Sequence, residues 1–147
     1  MSEQTEIPIK CWCDPQGDSL LVYSAEECSV YRGCWIAPAE PADFVCHLSF
    51  HNVSAVRGFP REFIPYQWTP AQRSSLLCLF DSDLIQEHIA YRKRHYPTFV
   101  GDTSRLRHYV VSGHDFYHDI LATGFTETTI PESQITDEHL LRFIRNA

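Results

Sequence analysis

The sequence predicts an α+β fold, a mostly antiparallel sheet of about five to seven strands with one helix near 82–96 and a C-terminal helix near 136–146. Three observations predict it. Short β-rich runs bounded by Pro and Gly recur along the chain, and only two stretches carry helical periodicity. Strands and helices also fail to alternate in the strict order that a parallel sheet requires. With 147 residues, 44% hydrophobic and 13% aromatic, the chain can bury its own core, so 1–147 reads as a single compact domain.

The elements follow in order. "IPIKCWC" and "SLLVYS" are β-rich and flank "DPQGD", whose Pro15 and Gly17 suit a turn, so a hairpin is expected. "VYRGCWIA" is a third strand, closed by Pro38 and Pro41. In the next strand Phe44, Cys46, Leu48 and Phe50 alternate with Val45, His47, Ser49 and His51, which places the first set in the core and the second toward solvent. The segment 52–68, interrupted by Gly58, Pro60 and Pro65, reads as irregular strand, and "SSLLCLF" has the length of a buried one. A helix follows: Asp81 or Ser82 can cap it, Leu84, Ile85, His88, Ile89 and Tyr96 lie near one face, and Pro97 ends it. "RLRHYVVSG" is a further strand, and Thr136 is placed to cap a last helix whose apolar side is Leu140, Leu141, Phe143 and Ile144.

The stretch "SGHDFYHDIL" carries the sharpest chemical pattern, His-Asp-x-x-His. On a helix His114 and His118 would lie one turn apart and hold a metal, with Asp115 as the base of a metal-dependent hydrolase. The β-formers on both sides favour a hairpin instead, and Asp is one methylene shorter than the Glu of the zinc-hydrolase pattern. The expectation is therefore polar turn residues with no metal and no cofactor, His114 and His118 being the alternative ligand pair.

The six cysteines, Cys11, Cys13, Cys28, Cys34, Cys46 and Cys78, take their reading from the compartment. "MSEQTEIPIKCW" has acidic and polar residues where a secretory signal places positive charge, so a cytoplasmic protein with free thiols is expected. A structural zinc site is disfavoured: five residues separate Cys28 from Cys34, and Cys11 and Cys13 are assigned to opposite faces of a strand. Two copies of Cys-Trp-x-x-Pro, at 11–15 and 34–38, read as strand edges closed by turns. The chain lacks a Gly-x-Ser-x-Gly elbow, a Gly-rich phosphate loop and a long apolar run, so a triad hydrolase, a nucleotide cofactor and a membrane partner are not expected.

Charge is unevenly placed in a chain of net charge −7. Residues 1–55 carry eight acids against Lys10 and Arg32, and residues 111–147 carry six against two bases, while the middle third is net basic. Nucleic acid is disfavoured as a partner by the overall sign. The composition points to a non-enzymatic protein-interaction domain, of the immunity or antitoxin-like kind, that meets a basic partner. Asp14, Asp18, Glu26, Glu27, Asp115 and Asp119 are its candidate binding residues, and Trp12, Trp35 or Trp68 its candidate anchor. Should the partner be anionic, Arg92, Arg94, Arg105 and Arg107 form the alternative patch.

Overall fold

The computed structural model describes residues 3–98 and 103–146. Nine strands form two antiparallel sheets among these residues. One sheet is ordered β1 (Gln4–Pro8), β6 (Ser75–Leu79), β7 (Arg107–Ser112), β8 (Phe116–Ala122) and β5 (Ala55–Pro60). The other is ordered β2 (Leu20–Tyr23), β3 (Cys28–Ala37), β4 (Glu40–His51) and β9 (Gly124–Pro131). Helix α1 spans Asp83–His95 and α2 spans Glu138–Asn146. The α+β expectation fits broadly, with more strands than expected and with two sheets rather than one.

The sheets face each other across the main core. Leu76, Cys78, Tyr109, Val111 and Ile120 of the first sheet meet Val30, Cys46, Leu48 and Phe50 of the second in one apolar cluster. Strand alternation puts a second set of residues on each outer face, and these are covered too. Leu77, Leu79, Val110 and Tyr117 lie under Ile64, Tyr66 and Trp68 of the segment after β5, and Leu121 lies under Leu84, Ile85 and Ile89 of α1. On the second sheet, Val45 and Ile130 lie under Leu140, Leu141 and Ile144 of α2. Burial on both faces explains why β6 is a continuous apolar run, a pattern more usual in parallel sheets.

Local signals account for the helix ends. Ser82 caps α1, its hydroxyl accepting from the Ile85 amide at 3.2 Å, and Arg92, Lys93, Arg94 and His95 sit in the last turn, where positive charge offsets the helix dipole. Asp137, rather than the expected Thr136, caps α2 by accepting from the His139 and Leu140 amides. No helix among the described residues is long and apolar enough to cross a membrane.

Two expectations are corrected. The strands on either side of "DPQGD" do not form a hairpin: β1 pairs with β6 and β2 with β3, so the chain crosses between sheets over residues 9–19. The face of β4 that was assigned to solvent is only partly so. Val45 is fully buried, and His47 stacks on Tyr31 at 4.7 Å while bonding Ser29 Oγ at 2.9 Å.

Candidate functional site

Residues 114–123 contain the turn and second strand of the β7–β8 hairpin, not a helix, so the geometry that would bring His114 and His118 together is missing. His114 is exposed in the turn, 3.0 Å from Asp115. His118 is half-buried in β8 opposite Gly58, where burial lowers its pKa. A Cβ on Gly58 would come within 2.9 Å of the His118 ring, so the glycine makes room for the imidazole.

The candidate acids separate into three places. Asp14, Asp18 and Asp115 gather at one end of the sandwich, where the loop before β2 meets the β7–β8 turn. Asp18 Oδ1 accepts from the Asp115 and Phe116 amides at 2.8 and 3.2 Å, and the His114 amide donates to Gly17 O. Gly113 is required there, because a Cβ would stand 2.5 Å from Asp18 Oδ1 and 2.9 Å from its Cα. The Arg61 amide donates to Asp115 O, joining the 3-10 turn Arg61–Phe63 to the same end. Glu26 and Glu27 lie at the other end of β2, in the turn organised by Ser24.

Asp119 corrects the picture of an acidic surface, since it is completely buried. Its carboxylate accepts from His108 Nε2 (2.6 Å), Tyr66 Oη (2.9 Å) and Arg57 Nε (2.7 Å). Burial alone would raise its pKa, but these hydrogen bonds and the neighbouring charge hold it below the usual value. His108 Nδ1 lies 2.7 Å from Ser82 Oγ, which completes a Ser82–His108–Asp119 chain. These are the residue types of a nucleophilic triad. Here, however, Ser82 is buried and already caps α1, and Arg57 and Tyr66 hold the carboxylate. The chain thus ties the helix to the sheet.

The basic residues occupy the last turn of α1 and the approach to β7. Arg94 and Arg105 are exposed. Arg107 is engaged, donating to Ser104 O and Leu106 O with its guanidinium over Phe80. The three tryptophans are half-buried: Arg73 lies over Trp12, Trp12 meets Trp35 edge to face, and Trp68 donates to Glu6. The large exposed apolar side chains are instead mostly Phe and Tyr, among them Phe59, Phe63 and Phe116 at the Asp14–Asp18–Asp115 end.

The sequence reading missed a gathering of thiols. Cys11, Cys13, Cys34 and Cys46 are all buried in the main core. Cys11 and Cys13 point to the same side, as residues two apart in an extended chain do, which corrects their assignment to opposite faces. Cys13 lies opposite Cys34, and the sulfurs of Cys11 and Cys46 lie within 4.8 Å of each other. The neighbouring Cys34 and Cys46 thiols pull the Cys13 thiol down, and those two are pushed up in turn. Glu127 joins from β9, its two oxygens accepting from the Lys10 and Cys11 amides at 2.9 and 3.0 Å. The available signal was the doubled Cys-Trp-x-x-Pro. The two copies lie side by side and antiparallel, with Trp12 O accepting from the Trp35 amide and Cys13 opposite Cys34.

No protein-family model, curated protein or solved structure matches this chain.

Proposed function

We propose that the chain is a non-enzymatic protein-interaction domain whose binding face is the sandwich end built from residues 14–18, 59–63 and 113–116. The observation that carries this reading is the exposure of Phe63 and Phe116 beside hydrogen-bonded acidic loops, with Phe59 exposed at the same end but on the other face of the sheet, against Tyr117. Phe63 is 63% exposed, Phe116 49% and Phe59 40%. Neighbouring apolar side chains left in water mark an interaction surface more often than scattered ones do. Asp14, Asp18, Asp115 and Glu62 supply the acidic groups of this end, with Arg32, Arg61 and Arg73 lining the adjoining cleft and Arg57 over Phe59. Such a face suits a basic partner, with charge raising the association rate and phenylalanine anchors slowing dissociation. An immunity-like inhibitor covering a basic toxin is the form of this reading that the net charge of −7 favours. A cytoplasmic setting belongs to it, because thiols gathered this closely stay reduced there.

The test is capture of the partner from the source cell, followed by binding kinetics on the purified pair. Phe116→Ala and Phe63→Ala should each raise the dissociation rate about tenfold or more, as anchor truncations do. Asp115→Asn should lower the association rate and flatten its dependence on salt. Kinetics unchanged in all three variants overturn the assignment of this face. Loss of binding on neutralising Arg92, Arg94, Arg105 and Arg107 would transfer it to the basic patch.

A further inference from the structure

Beyond that surface, the structure assigns a metal site to Cys11, Cys46 and Glu127. The two sulfurs and a carboxylate oxygen all lie within 4.8 Å of one another. They come from three separate segments, the crossing between the sheets, β4 and β9. A tetrahedral zinc ion, with sulfur at about 2.3 Å and oxygen at about 2.1 Å, needs donors roughly 3.5–4 Å apart, so a small inward movement suffices. We propose that these three groups bind one thiophilic divalent cation, zinc in kind, with a fourth coordination position open to solvent.

The surroundings fit that role. The Lys10 and Cys11 amides each bond one oxygen of Glu127 and fix the carboxylate plane, yet every carboxylate oxygen has a second lone pair for a cation. Thiolate donors select zinc over magnesium or calcium, which take oxygen donors alone. Cys46 closes the buried side of the site. Cys11 and Glu127 both border a cleft of about 550 Å³ whose walls include Trp12, Trp35 and Phe44, with Arg73 as a cation beside them. The fourth position faces this cleft, and Arg73 favours a small anion there. Binding displaces the thiol protons of Cys11 and Cys46 to solvent, and no electron transfer is involved.

A bland alternative, cysteines serving as small core residues and Glu127 as acceptor for the Lys10 and Cys11 amides, predicts no metal binding. Cobalt titration of the reduced, metal-stripped full chain separates the two. The expected result is a break at one equivalent, thiolate-to-cobalt charge-transfer absorption, and displacement of cobalt by zinc. Cys28→Ser and Cys78→Ser should leave the titration unchanged. Cys11→Ser, which alters the rim of the site, should abolish the one-equivalent break, and Glu127→Gln should weaken binding about 10-fold or more while retaining the thiolate bands. Azide added to the cobalt form should shift its visible bands. Absence of thiolate bands in the unmutated chain, which requires no variant to fold, overturns the site. An unchanged titration in Cys11→Ser does so too, and bands unmoved by azide overturn the open position.

Discussion

Asp119→Ala tests whether the buried Ser82–His108–Asp119 chain holds α1 to the sheet. The substitution removes the acceptor of three hydrogen bonds. Arg57 has a side chain 39% exposed, so it regains water, and its share is under about 1 kcal/mol. His108 is fully buried and its Nε2–H is left without that acceptor, a penalty of about 1–3 kcal/mol. The Tyr66 hydroxyl, half-buried, adds about 1 kcal/mol. Together the loss is about 2–5 kcal/mol, and Asp119→Asn, which keeps the shape and one acceptor, should lose about half as much. Urea unfolding followed by tryptophan fluorescence measures it, with a lowered midpoint at an unchanged slope. Arg57→Ala should cost less than either variant. Stability within about 0.5 kcal/mol of the unmutated chain in both Asp119 variants would refute the reasoning, because surface changes lie in that range.

Acid should probe the same group. Its folded-state pKa lies below the unfolded value of about 3.9, so its contribution is complete above that pH and lost as pH falls through the folded value; Asp119→Asn should flatten the stability profile in this window. Leu48→Ala, at a position 2% exposed, should cost about 2–5 kcal/mol in chemical unfolding, whereas His47→Ala should cost about 1 kcal/mol through its stacking on Tyr31 and its bond to Ser29. Gly113→Ala should disorder the acidic end through its clash with Asp18 and lower partner affinity, measurable as faster amide exchange at Asp115 and Phe116. Without metal, all six cysteines should alkylate slowly until the chain unfolds, as mass spectrometry can follow, because each is buried.

Elements governed by local chemistry were legible in the sequence. Ser82 as a cap, Pro97 just beyond α1 and the alternation from Phe44 to Phe50 act over a few residues, and the hairpin at His114 was decided by the β-formers beside it. What could not be read depends on distant pairing. "DPQGD" has the composition of a hairpin turn, yet β1 pairs with β6 and β2 with β3, strands that no local signal beside the turn identifies. Asp119 looked like a surface acid because its partners Arg57, Tyr66 and His108 are remote in sequence. The thiol site escaped for the same reason: Cys46 and Glu127 meet only because β4 pairs with β9, and no local spacing encodes that pairing.

The crossing between sheets also bears on how the chain folds. Gln4 pairs with Leu79, and Phe44 with Pro131, so each sheet joins segments that are far apart in sequence. Closing such long loops costs entropy before any contact repays it, and topologies dominated by non-local strand pairing fold in milliseconds to seconds rather than microseconds. During synthesis β1 would emerge well before β6, and β4 well before β9, leaving β4 with one edge unpaired while the β2–β3–β4 meander can already form. That edge exposes "FVCHLSF", an apolar segment without Pro that is prone to intermolecular pairing. The interval before β9 arrives is therefore when this protein is most open to aggregation, and slowing translation between β4 and β9 should lower its soluble yield.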